Sequence, residues 1–311
     1  MKNICNIIQG FCSSRVSERI SRFYEILEKR NLIPPNTYIE KDNLDINNNN
    51  LLFVSYNENT KRNLQSLMEK INLKRSNIII ISNNDENYFD FAIEHNICNI
   101  IHIERLNERL LLGILKRFFG KKLGLKAFFE KKTNIFSKQY SLSGSVSMYS
   151  LVENEFTDFI DAIPSIAKNT FKINCHELVT NALAYGVLGI TPLTRDKKIY
   201  DLGNKVTIPQ GKEVLVRLAM NSEIYGISVK DFGGSLTINR VLERIRRQSV
   251  VAGETIPQGI EDYTGRGLAI LSHHGLLTFS IKPKEFTEVS FMSRLETIFE
   301  KRPIAILATK H

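Results

Sequence analysis

The chain has 311 residues, 42% of them hydrophobic and 24% charged, and a formal net charge of +9. That length suits two average domains, and that composition excludes a disordered or fibrous chain. The positive excess fits an acidic partner, but the basic residues are dispersed, with short clusters only at 121–122, 131–132 and 244–247, which disfavours nucleic acid.

The four cysteines, Cys5, Cys12, Cys98 and Cys175, form no Cys-x-x-Cys pair and no Cys/His ligand spacing, which argues against zinc. The N-terminus turns polar after Ile8, too early for a signal peptide, and no window reaches the ~18 apolar residues of a membrane span. Reduced thiols, no export signal and no membrane segment together predict a cytoplasmic protein.

In chain order, short β-rich runs fall at residues 4–8, 37–39, 51–55, 77–82 and 99–103, alternating with helical stretches at 16–29, 60–71, 86–95 and 107–118. The first helix spaces Val16, Ile20, Phe23, Tyr24 and Leu27 along one face. The run at 78–81 is four isoleucines, suited to a strand buried on both sides. Five strand–helix units predict a doubly wound parallel α/β domain over residues 1–120, and 47–50 is a polar loop.

This order and size resemble the flavodoxin-like receiver domain of two-component response regulators. The resemblance implies a carboxylate cluster after the first strand, where Gln9 and Gly10 stand. It implies an aspartate after the third, where Ser55 and Tyr56 stand, and a lysine after the fifth, where His102, Ile103 and Glu104 stand. Only Ser82 fits the receiver pattern. With no carboxylate nucleophile, the domain is expected to be a pseudo-receiver that docks a partner. An unrelated small α/β domain is the alternative.

Residues 121–145 read as a basic linker. Phe118, Phe119, Phe128, Phe129 and Phe136 either pack one domain on the other or form the core of a connecting helix. From 146 onward the pattern changes. A helix is predicted at 148–163, ended by Pro164, and a second at 171–185 reading HELVTNALAYG from His176. Glu177 and Asn181, four apart, share the face opposite its apolar stripe. Alternating strands follow at 214–219 and 225–230, the second running into Asp231, Phe232, Gly233 and Gly234. Gly265, Arg266, Gly267 and Leu268 then open an apolar helix, an arrangement that lets backbone N–H groups approach phosphate. Residues 286–291 form a last strand carrying Thr287.

A helix with Glu-x-x-x-Asn, a strand ending in Asp-x-Gly, Gly-x-Gly-Leu before a helix, then a strand with Thr: this ordered set resembles the GHKL ATPases, and within them the anti-sigma-factor serine kinases. The resemblance covers about 150 residues (roughly 146–295). It implies an α/β two-layer sandwich over 146–311 that binds ATP with Mg2+. Asn181 would ligate magnesium, and Asp231 would accept a hydrogen bond from the adenine amino group, with Gly233 beneath the base. Gly265, Arg266, Gly267 and Leu268 would cradle the phosphates, and Thr287 would support adenine through water. Glu177 would be the general base, or the partner of a magnesium-bound water. The implied partner is a regulatory protein such as an anti-sigma antagonist; a homodimer is left open.

Two departures stand out. The second glycine of Asp-x-Gly-x-Gly is displaced to Gly234, so Ser235 is expected to narrow the base pocket, and 187–212 is long enough for an extra hairpin or loop. The helix at 239–249 carries Arg240, Arg244, Arg246 and Arg247, read either as a phosphate clamp in a lid or as a solvated face. No phospho-accepting histidine box is evident. Kinase transfer to serine or threonine is therefore the leading expectation, and an ATP-gated scaffold without transfer is the alternative.

Overall fold

The computed structural model describes residues 5–8, 13–31, 38–41, 51–56, 61–62, 64–66, 68, 77–82, 88–118, 124–129, 135–147, 150–189, 205–250, 254–259, 266–295 and 305–310. In the N-terminal half the apolar runs pair in parallel. β1 (Cys5–Ile8) pairs with β2 (Tyr38–Lys41), and β3 (Leu52–Ser55) with β4 (Ile78–Ser82), which pairs in turn with β5 (Asn99–His102). β1 also lies alongside β3. Every side chain of β3, β4 and β5 is buried, as strands covered on both faces require. The helices are α1 (Ser14–Lys29), α2 (Tyr88–Glu94) and α3 (Glu108–Phe118). Asn107 caps α3, its Oδ1 accepting the Leu110 N–H at 2.9 Å. The described part of 60–71 is helical; the rest of that prediction, like the 47–50 loop, lies outside the described residues.

In the C-terminal half, β6 (Phe136–Leu142), β9 (Val214–Met220), β10 (Ile224–Asp231), β12 (Phe286–Arg294) and β11 (Leu276–Lys282) pair antiparallel in that spatial order. A small ribbon joins β7 (Gly144–Val146) to β8 (Val206–Ile208), the described remnant of the long insertion. The predicted helix at 148–163 divides at the fully buried Phe156 into a wide π turn, Leu151–Glu155, and α4 (Thr157–Ala162). α5 (Ser165–Asn181), α6 (Ile238–Arg247) and α7 (Arg266–His274) complete the half.

The two halves share their sheet. β13 (Ala305–Lys310) lies parallel to β11 on one side and antiparallel to β5 on the other, giving the order β3-β4-β5-β13-β11-β12-β10-β9-β6. Residues 136–142, inside the stretch read as a linker, form its outer strand rather than a connecting helix.

Period-two alternation carries through the sheet and divides the core in two. On one face Val54, Ile80, Ile100, Ile306, Phe279, Phe291 and Ile227 meet α2, α4, α5, α6 and α7. On the other, Phe53, Ile79, Ile101, Leu307, Leu276 and Met292 meet α1, α3 and the turn at 124–129. That turn closes the second face of the C-terminal strands, where a two-layer arrangement was expected to leave it open. Leu125 and Phe129 fit there because Gly226 presents no side chain. Rings at Phe136, Phe159, Phe171 and Tyr225 stack in series at 5.4–5.5 Å and fasten α4 and α5 to the first face. Among the described residues no helix is long and apolar enough to cross a membrane.

Asn99 sits at the junction, fully buried. Its Oδ1 accepts the Ala308 N–H at 2.8 Å and its Nδ2 donates to the Ile78 carbonyl at 3.2 Å. Asn99→Ala leaves both backbone groups buried and unsatisfied, a loss of about 2–4 kcal/mol. Urea unfolding followed at two probes, one in each half, should show one lowered transition. A shift confined to one half would contradict the shared sheet.

Candidate functional site

α5 begins after Pro164, whose fixed φ suits a helix entrance, and buries Ala167, Phe171, Cys175, Leu178 and Val179. This leaves Glu177 and Asn181 half-buried on the flank, one turn apart. Asn181 Nδ2 donates to Glu177 Oε1 at 2.9 Å, which assigns the amide oxygen to the open side. Burial pushes the Cys175 thiol above its usual range, so it is a packing residue. After Asn181 the helix widens into a π turn, Ala182–Val187, a distortion that re-aims the chain and recurs at functional sites.

That turn delivers Gly186 onto the carboxylate of Asp231 at the end of β10. A Cβ on Gly186 would overlap the Asp231 side chain, and one on Gly233 would overlap the Gly186 carbonyl. The Gly233 N–H donates to Asp231 Oδ1 at 2.9 Å, an Asx-type turn that fixes the acid. Burial pushes the Asp231 carboxyl up to about 6, against the backbone N–H groups of Gly233 and Gly234, which lower it.

Directly across the ladder from Asp231 stands Thr287. It is 2% exposed, and its Oγ1 has no hydrogen-bond partner among the described residues. A buried hydroxyl without a partner thus lies across from a desolvated carboxylate, and such a group calls for a water or other polar partner.

At the other end, Gly267 in the first turn of α7 abuts Glu177 with no space for a Cβ. Gly267 therefore meets Glu177 and Asn181 at one end, and one π turn further along the chain Gly186 meets Asp231, which is paired with Thr287, at the other. Arg266 is exposed at the helix entrance, whereas the Leu268 side chain is buried in the core, leaving only its backbone to face a ligand. Gly265 lies outside the described residues.

The geometry corrects two expectations about neighbours. Ser235, expected to narrow a base pocket, is exposed, and its hydroxyl donates to the Tyr185 carbonyl at 3.1 Å. The displaced glycine has its own cause, since Gly234 takes φ +55 with backbone of Lys284 and Glu285 where a side chain would be. Nor do the arginines of α6 form a single solvated face or a single clamp. Arg244 lies over the Tyr185 ring at 4.9 Å, and Arg246 is buried in ion pairs, while Arg240 and Arg247 are exposed. Gly186 and the ion pairs of Arg246 escaped the sequence reading, because their meaning lies in partners far along the chain.

Among the described residues no cluster of three His, Cys, Asp or Glu could hold a metal alone. Magnesium, however, is commonly held by one or two protein oxygens together with substrate phosphates, which the Asn181 amide oxygen suits. Of the receiver-like positions, Ser55 is buried and its Oγ accepts the Ser13 N–H at 2.9 Å, and Ser82 is buried at the end of β4. Nδ1 of His102 accepts the Glu104 N–H, and burial lowers its pKa. Gln9 and Gly10 lie outside the described residues. Comparison with models of known protein families gives no match, and comparison with curated proteins finds no significant relative.

The Asp231 carboxyl supplies a test that needs no ligand. Its pKa rises from 3.8 unfolded to about 6 folded, so the folded state holds the proton more tightly. Its contribution to stability is therefore present below pH 3.8 and lost as pH rises through about 6. At ~1.4 kcal/mol per unit, folding with the ionised group costs ~3 kcal/mol. Asp231→Asn should stabilise the ligand-free protein at pH 7 by about 1–3 kcal/mol and flatten its melting temperature between pH 4 and 6. A lower melting temperature at pH 7 would mean that the carboxylate is structurally satisfied.

Proposed function

We propose that this site binds Mg-ATP and that the protein is a cytoplasmic signalling switch, an anti-sigma-type serine/threonine kinase acting on a regulatory protein. The observation that carries the reading is the buried, partnerless Thr287 hydroxyl across the ladder from the desolvated Asp231, which Gly186 abuts one π turn after the Glu177–Asn181 pair, itself set against the glycine-flanked start of α7. Each feature suits a different part of a nucleotide. The Asp231 carboxylate accepts from the adenine amino group, and Gly186 and Gly233 leave room for a planar base. The Thr287 hydroxyl gains through water the partner it lacks. The amide oxygen of Asn181 would hold the metal, and the first N–H groups of α7 would face the anionic tail.

Bound Mg-ATP supplies the phosphoryl group. The chain's own contribution is Glu177, whose carboxylate withdraws the proton of a serine or threonine hydroxyl presented at the α5–α7 edge. The receiver-like half, with hydroxyls at Ser55 and Ser82 in place of receiver chemistry, selects the partner. One observation favours a second reading, an ATP-gated scaffold: Glu177 Oε1 already accepts from Asn181, as a residue that merely orients the metal ligand would.

Calorimetric titration with Mg-ATP, together with transfer of labelled phosphate to acidic protein substrates, separates these. Wild type should bind, and Asn181→Ala should weaken binding at least about tenfold. Glu177→Gln should keep affinity while transfer drops by about 100-fold or more. Affinity should fall as pH drops through about 6, where Asp231 gains its proton and becomes a weaker, uncharged acceptor. No binding at millimolar nucleotide ends the proposal; tight binding without transfer leaves the scaffold.

A further inference from the structure

Arg246 is a buried charge, and its partners come from opposite halves. Its Nε meets Asp90 Oδ1 of α2 at 3.3 Å, 156 residues away. Its two terminal nitrogens meet the carboxylate of Glu254 in a bidentate pair at 3.2 and 3.0 Å. The arginine side chain is 11% exposed and Glu254 22%, whereas Asp90 is 58% exposed. A desolvated bidentate pair is strong and directional; the exposed arm is weaker and readily exchanged.

Around this guanidinium the chain after α6 folds back on the helix end. Gln258 Nε2 donates to Glu254 Oε1 at 2.8 Å, Gln248 Nε2 donates to the Gly259 carbonyl at 2.7 Å, and the Gly259 N–H donates to the Arg247 carbonyl at 2.6 Å. Residue 259 is only seven positions before Arg266, the first residue of α7, whose Gly267 abuts Glu177. Hydrogen bonds at 254–259 tie this stretch to the C-terminal end of α6. α6 itself packs against both α2 and α7.

The geometry points to Arg246 as a positioning residue of the phosphate-facing end of the site, set by the N-terminal half through Asp90. This rests on the nucleotide reading above and adds its regulation. Whatever displaces Asp90 from Arg246 loosens the seating of α6 on α2, and with it the packing of α6 against α7, while Asp231 and Thr287 at the base end stay untouched. A merely structural role would weaken the whole site alike. A positioning role divides triphosphate from base.

The full-length protein is titrated with Mg-ATP and, separately, with adenosine, and amide exchange at Gly259 is followed without nucleotide. Asp90→Asn, which removes the charge of the exposed arm, should weaken Mg-ATP about two- to fivefold. Glu254→Gln should weaken it about three- to tenfold and speed Gly259 exchange. Adenosine affinity should stay within about twofold in both, and the double variant should lose less than the product of the singles, since both act through one guanidinium. Arg246→Lys should retain part of the Mg-ATP affinity lost in Arg246→Ala. Unchanged Mg-ATP affinity in Asp90→Asn and Glu254→Gln, or equal losses for Mg-ATP and adenosine, overturns the positioning role and leaves the nucleotide site standing. Wild type that binds neither ligand overturns both.

Discussion

The architecture depends on the backbone of β13, which hydrogen-bonds along both edges to strands from different halves of the chain. Its side chains alternate between the cores, Ile306 and Ala308 to one face, Ala305 and Leu307 to the other, so it cannot slip by one residue without exchanging the two sets. Withdrawing it would expose the inner edges of β5 and β11 together, two rows of unpaired amides in the middle of a sheet. Asn99 adds a side-chain bond across the same seam, and Cys98 Sγ approaches the Ala308 carbonyl at 3.7 Å. The two halves are therefore coupled at the hydrogen-bond level and not only by surface contact.

The second coupling is electrostatic. Arg117 of α3 is fully buried beneath the C-terminal strands, where it donates to the Phe279 carbonyl and, at 3.2 Å, to Ser280 Oγ. Burial pushes its pKa down to about 10, opposed by the charge of Glu288. Glu288, itself buried, accepts from Ser228 Oγ at 2.7 Å and meets Arg217 Nη1 at 3.5 Å. A buried charge of this kind is tolerated only when the polar groups around it are arranged, so the arrangement of β10, β11 and β12 and the position of α3 determine each other. Glu288 follows Thr287 on β12 and points to the opposite face; the same strand thus carries a satisfied charge behind and an unsatisfied hydroxyl in front.

Much of this was legible in local patterns. Runs such as 78–81 declare a strand covered on both sides, the stripe of α5 declares its buried face, and the spacing of Glu177 to Asn181 puts them on one flank. The edge strand β6 was not legible, because most of its residues are exposed and an edge with no buried face has no alternation to read. β13 follows a charged stretch, and what makes it central is pairing with β5 across two hundred residues, which no local pattern encodes. The π turn was hidden for a similar reason. Its sequence, ALAYGV, continues a helical pattern, and only the arrival of Asp231 against Gly186 requires the wider turn. Arg246 looked like one member of a basic run until its carboxylates came from α2 and from beyond α6.

The energetics of the site explain why such a weakly marked constellation is worth keeping. An ionised carboxylate in the Asp231 position costs the empty fold ~3 kcal/mol, and the Thr287 hydroxyl adds the penalty of an unmade bond. A protein selected only for stability would replace both by apolar residues of similar shape. A ligand that donates to the carboxylate and, directly or through water, satisfies the hydroxyl offsets that cost only when bound. At a hundredfold excess over its dissociation constant any such ligand stabilises the fold by about 2.7 kcal/mol. The strain stored at Asp231 is then the difference between two states of one molecule. β12 carries both Thr287 and Glu288, so the partnerless hydroxyl on one face and the charge network of Arg117 on the other share one strand.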